Sequence, residues 1–192
     1  MSEVCKHKLV LGSASPRRKQ LLEGAGFRFR VMTADVDESR HPEDIDAEAL
    51  PEYLSGIKAD ALVGKIDEDE IVITADTVVC INGKVLGKPA DHSEAFSMLS
   101  ELSGCRHRVI TGVTIASKDK RESFSVSTDV FFRELAVEEI EYYIDTCRPF
   151  DKAGAYGIQE WIGFIGIERI EGSFYNVMGM PIQTLFTKLK NW

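Results

Sequence analysis

The stretch Lys8-Leu9-Val10-Leu11-Gly12-Ser13-Ala14-Ser15-Pro16-Arg17-Arg18-Lys19-Gln20-Leu21-Leu22 decides how the chain is read. Lys8–Leu11 is a short apolar run that stops at Gly12, so it reads as a strand running into a loop. Ser15 followed by Pro16 marks a helix start, with a hydroxyl at the N-cap and proline at the first helical position. Leu21 and Leu22 begin the apolar face of that helix. Arg17, Arg18 and Lys19 crowd its first turn, where the helix dipole favours negative charge and each cation costs about 0.3–1 kcal/mol. Gly12, Ser13, Ala14 and Ser15 are small enough to bring backbone N–H groups against a ligand. Small residues and arginines together at a helix N-terminus point to an anion site; a solvated basic turn is the plain alternative. The loop is neither the G-x-x-x-x-G-K-[ST] phosphate loop nor the G-x-G-x-x-G dinucleotide fingerprint.

Outward from this unit, Gly24 and Gly26 end the helix. Residues 27–33 read as a strand with Phe27, Phe29 and Val31 alternating, and 34–46 as an acidic loop. Within that loop Asp35, Asp37 and Glu38 are close enough for one to be a metal ligand. Residues 47–63 read as a helix with Leu50, Leu54, Ile57 and Ala61 on one face, Pro51 near its start and Gly56 weakening it. The most apolar run is 71–81, and Asp76 stands in its middle. A carboxylate there is expensive unless it is paired, metal-bound or catalytic. Asn82-Gly83 is a hairpin signal returning the chain through Val85 and Leu86 to Gly87-Lys88-Pro89. Further on, 93–103 reads as an amphipathic helix with Ala95, Met98, Leu99 and Leu102 inward. Residues 106–117 and 122–133 read as strands, with His107 structural. The spacing predicts a helix over 137–145 with Val137, Ile140 and Ile144 inward, and a Gly-rich loop over 149–159. Strands are expected over 161–170 and 173–178, then a last helix over 182–189. Hairpins and helical crossovers together give a mixed α/β protein.

A length of 192 residues suits one domain, or one domain with two lobes. No apolar run approaches the roughly 20 residues that span a bilayer, and the N-terminus has no signal-type apolar segment, so no membrane role is expected. The four cysteines, Cys5, Cys80, Cys105 and Cys147, are scattered and read as reduced thiols in a cytoplasmic protein. Acidic residues outnumber basic ones by 31 to 23, which argues against binding long nucleic acid and leaves room for a small phosphorylated ligand at a local basic cluster. The sequence leaves monomer or homodimer open.

Ser13, Ser15, Pro16, Arg17, Arg18, Leu21 and Leu22 together resemble the S-x-S-P-R-R opening of the Maf family of nucleotide pyrophosphatases. Asp76-Thr77 with Gly87-Lys88-Pro89, the His107, Thr111 and Gly112 block, and the loop at 149–159 resemble later family blocks in the family's order. The resemblance implies a single domain over 1–192, an elongated mixed β-sheet flanked by helices, with two lobes around a cleft. It implies hydrolysis of a nucleoside triphosphate between the α- and β-phosphates, giving the monophosphate and pyrophosphate. It also implies a house-cleaning role against unwanted nucleotides. Asp76 would take the proton of the attacking water or help hold a metal. Arg17, Arg18, Lys58 and Lys88 would neutralise phosphate charge, Ser13 and Ser15 would line the phosphate loop, and Glu38 would hold a divalent cation, Mg2+ or Mn2+. Lys58 fits the family's R-L-A-x-x-K-A block, whereas Tyr53 stands where that block has arginine. Arg17, Thr77 and Gln159 resemble the branch acting on dTTP and UTP, not the branch acting on methylated GTP. The rival reading is a nucleotide-sensing regulator of cell division that binds without turnover; a buried carboxylate beside the phosphates favours the enzyme.

Overall fold

The structure is a computed structural model and describes residues 7–38, 41–42 and 44–192. Seven strands form one mixed sheet in the order β2-β1-β3-β5-β6-β7, with β4 paired to β3: β1 is Lys8–Leu11, β2 Phe29–Val31, β3 Glu70–Ile81, β4 Lys84–Leu86, β5 Arg106–Ala116, β6 Arg121–Phe132 and β7 Ile167–Glu171. The α/β expectation holds. The chain divides into two compact units, one comprising residues up to 76, 111–126 and 179–192, the other 77–110 and 127–178.

In the first unit, β1 pairs in parallel with both β2 and β3, Leu9 facing Phe29 on one side and Ile71 on the other. Alternation then divides the side chains. Leu9, Leu11, Ile71, Ile73 and Ala75 pack with Leu22 of α1 (Pro16–Gly24) and with Leu185 and Leu189 of the C-terminal helix, Ile182–Lys190. Val10 and Val72 face the other way, onto Ala59 and Leu62 of α2 (Leu50–Val63). Period two therefore aims Thr74 and Asp76 at the α2 side of β3. The buried face of α2 is Leu50, Leu54, Ser55, Ala59 and Leu62, and Ile57 and Ala61 are only half-buried. The expected face is corrected by about one residue because Ser55 and Gly56 are also turned inward. At the N-terminal end of α2 the sheet comes very close: a Cβ on Gly112 would stand 2.2 Å from the Glu52 nitrogen. The strand expected over 27–33 shrinks to three residues at the sheet edge, where Val31 is exposed.

In the second unit, Asn82 and Gly83 both take positive φ, 51° and 78°, and close the β3–β4 hairpin with Ile81 opposite Lys84. The helix α3 (His92–Leu102) is capped by Asp91, whose carboxylate accepts the Glu94 N–H at 2.9 Å, and buries Ala95, Met98, Leu99 and Leu102. The next helix, α4 (Val137–Cys147), buries Ile140, Tyr143 and Ile144 and leaves Val137 exposed, against expectation, at its first turn. The strand expected over 161–170 is present only in its second half, and the one expected over 173–178 is absent. Trp161–Gly166 is a helix, α5, before the short strand β7, and Phe174–Val177 is a single helical turn, α6, capped by Ser173 Oγ on the Asn176 N–H. Short apolar runs do not separate strand from helix by periodicity. Here the close approach of the Ile158 carbonyl to Gly163 and the Ser173 cap decide for helix.

His107 is buried, with Nε2 2.8 Å from the Tyr156 hydroxyl and its ring edge-on to Phe132 and Tyr156. Burial lowers its pKa to about 4. Unfolded, it takes a proton near pH 6.5; folded, it resists to about 4. Stability is therefore full above pH 6.5 and falls by about 3 kcal/mol as pH drops to 4. Glu70, held near 2 by its bidentate bond to Arg30, contributes its own loss only below about 4.5. Urea midpoints at pH 7 and pH 4.5 test this: the acid-side drop should shrink markedly in His107→Gln.

Candidate active site

The loop after β1 is held close to the sheet. Gly12 donates its N–H to the Ile73 carbonyl at 2.8 Å, and a Cβ there would meet the Thr74 methyl at 2.5 Å and Leu62 at 2.7 Å. The helix begins at Pro16 as expected, but the Ser15 hydroxyl makes no cap. Ser13 takes that local role: its Oγ accepts the Ser15 N–H and a proton of Arg18 Nη1, each at 3.2 Å. No acidic residue stands in the first turn. Arg17, half-buried, follows Pro16 there with a dipole that favours an anion.

Arg18 also holds the fold, a role the sequence reading did not include. Its Nε donates to the buried Gly179 carbonyl at 2.8 Å, tying α1 to the turn before the last helix. Burial pushes its guanidinium below the usual range, and Asp76 and Glu38 oppose the shift. Arg18→Ala should therefore destabilise the unliganded protein by about 1.5–3 kcal/mol, because it strands a buried carbonyl. Unliganded thermal unfolding of mutant and wild type measures it; an unchanged midpoint would return Arg18 to a solvated role.

The acidic loop, α2 and β3 bring Glu38, Lys58 and Asp76 together. Lys58 Nζ lies 2.6 Å from Asp76 Oδ1 and 2.9 Å from Glu38 Oε1. The Lys58 and Asp76 side chains are only 13% and 14% exposed, so Lys58 is no ordinary surface lysine. The expense of a carboxylate in β3 is offset by this ammonium. Two carboxylates around one ammonium leave net negative charge, and their hard oxygens suit a second cation. Tyr53, at the family's arginine position, is exposed.

In the second unit, Thr77 continues β3 and is half-buried, and Lys88 is exposed two residues beyond the last paired residue of β4. The Gly154 N–H donates to the Gly87 carbonyl at 3.0 Å, which joins the Lys88 segment to the Gly-rich block. That block has a buried polar frame which the sequence did not disclose. The Tyr143 hydroxyl accepts the Gly157 N–H at 3.0 Å and donates to Glu160, whose other oxygen lies 3.1 Å from Lys152 Nζ. Burial and the Glu160 carboxylate push the Tyr143 hydroxyl pKa up, so it stays a donor. Between these anchors, Gln159 lays its amide over Gly157, where a Cβ would stand 3.0 Å from Nε2. Its Oε1 is buried and has no hydrogen-bond partner among the described residues. In sequence, Tyr143 sits in a helix as any core aromatic would; only Lys152, a lysine inside a Gly/Ala-rich run, gave a signal.

A family model described as Maf-like protein matches residues 8–192, a span that runs through both units. The chain is 52% identical over 188 residues to a Parabacteroides distasonis protein named dTTP/UTP pyrophosphatase, with 97% of each covered. It is 50% identical over 189 residues to a Porphyromonas gingivalis protein of the same name, covering 97% of this chain and 95% of that one. Among solved structures, a HAM1 protein from Coxiella burnetii superposes with a TM-score of 0.51 over 97% of this chain and 100% of that one, at 12% identity. A likeness at that identity bears on fold alone.

Proposed function

Because the chain belongs to the family of Maf-like proteins, we propose that it hydrolyses dTTP and UTP to the nucleoside monophosphate and pyrophosphate. The relatives' name supports the substrate class, and the Glu38–Lys58–Asp76 cluster carries the catalytic reading. Water attacks the α-phosphorus. The new P–O bond forms as the bond to the bridging oxygen breaks, and pyrophosphate leaves. Asp76 accepts the water's proton. Lys58 holds Asp76 and meets the phosphate charge; Arg17, Arg18 and Lys88 add cations, and the first turn of α1 offers N–H groups to phosphate oxygens.

Asp76 and Glu38 are suitable oxygen donors for Mg2+ or Mn2+, which when bound would neutralise phosphate charge. Among the described residues no three His, Cys, Asp or Glu side chains are grouped to hold a metal, so phosphate oxygens and water would complete the shell. Cytoplasmic residence belongs to the same reading, supported by four scattered cysteines that form no CxxC pair. Among the described residues no helix is long and apolar enough to cross a membrane.

The test is a panel of nucleoside triphosphates given to purified protein with Mg2+ or Mn2+, with products identified. Thymidine and uridine monophosphates plus pyrophosphate are expected. Release of free phosphate, or binding without turnover, would overturn the assignment.

A further inference from the structure

We propose that the Thr74 hydroxyl is a positioning group for Lys58, an inference that rests on the catalytic reading of the Glu38–Lys58–Asp76 cluster. Thr74 is fully buried on β3, two residues before Asp76 and on the same face. Its Oγ1 donates to the main-chain carbonyl of Ser55 at 2.7 Å. Ser55 precedes Lys58 by three residues on α2, and Lys58 reaches Asp76. Two rungs therefore join the same strand to the same helix: hydroxyl to carbonyl, then ammonium to carboxylate. The Ser55 hydroxyl extends the first rung sideways, to Thr114 Oγ1 on β5 and from there to Ser123 Oγ on β6, at 2.8 Å each. The Thr74 methyl faces the other way and is what a Cβ on Gly12 would strike. One side chain thus touches the loop carrying Ser13 and the helix carrying Lys58, on the strand carrying Asp76.

Packing alone does not call for this hydroxyl. Ala59, Leu62 and Val72 already fix α2 against the sheet by apolar contact, and that contact has no direction along the strand. Valine would fill the same volume with no polar group to satisfy. A hydrogen bond to one carbonyl is directional and sets where along β3 the helix stops. Lys58 meets Asp76 only if it stops there.

Turnover at saturating dTTP is compared in wild type, Thr74→Val, Thr74→Ser, Lys58→Met and the double variant Thr74→Val/Lys58→Met. Thr74→Val should lower kcat by about tenfold, since an ångström of misplacement can cost up to 10²-fold. Thr74→Ser, which keeps the hydroxyl and loses the methyl, should stay within about twofold of wild type. In the Lys58→Met background, Thr74→Val should cost nothing further, because the group it positions is gone. An unaltered kcat in Thr74→Val, or the same loss with and without Lys58, would overturn the proposal while leaving the catalytic reading intact. Wild-type turnover in Lys58→Met would overturn the catalytic reading and this inference together. Should Thr74→Val not fold, Thr74→Cys takes its place with the same expected loss.

Discussion

Asp76→Asn should lower turnover of dTTP by about 10²–10⁴, the range for losing a positioned general base. The substitution keeps the shape of the side chain and its place on β3. It removes the group that accepts a proton from water and weakens a hard oxygen ligand. Nucleotide affinity should survive or rise, because one negative charge leaves the neighbourhood of the phosphates. Lys58 would keep Glu38 as its ion-pair partner, so the cluster should not collapse. Pyrophosphate release gives the rate and calorimetric titration gives the affinity. A large fall in rate with preserved binding is the expected pair; near-normal turnover would remove Asp76 from the role assigned to it.

The burial of Asp76 was legible because a single carboxylate in an eleven-residue apolar run has few explanations. Its partner Lys58 was legible only through the family block, since a helix-face lysine usually points to water. Local rules recovered the hairpin at Asn82-Gly83 because that signal acts within a few residues. The inward face of α2 was misjudged for the opposite reason. Ser55 is buried with its hydroxyl on Thr114 of β5, 59 residues away, and no local pattern announces that partner. Gly112 is a similar case. Its requirement for no side chain comes from the α2 backbone lying against it, which is a fact of tertiary packing. Arg18 shows a different limit: its partner Gly179 is 161 residues away, so the charge was read as waiting for a ligand when it also holds the fold.

Gln159→Ala should collapse the preference for dTTP over dCTP from about 10² to within about tenfold, while costing less than tenfold in dTTP turnover. The buried Oε1 of Gln159 is an acceptor with no partner among the described residues, and leaving such an atom unpaired costs about 1–3 kcal/mol. A ligand that donates to it recovers that cost. Thymine and uracil carry an N–H at ring position 3, between two carbonyls; cytosine carries a bare acceptor nitrogen there. Two acceptors facing each other leave both unsatisfied, so the site rejects cytosine more strongly than shape alone could. The frame of Tyr143, Glu160 and Lys152 holds the backbone on either side of Gln159. The ratio of kcat/KM for dTTP, UTP, dCTP and 7-methyl-GTP in wild type and Gln159→Ala is the measurement. An unchanged ratio in the mutant would leave Gln159 as a loop residue only, and a wild type that prefers 7-methyl-GTP would move the chain to the other branch of its family.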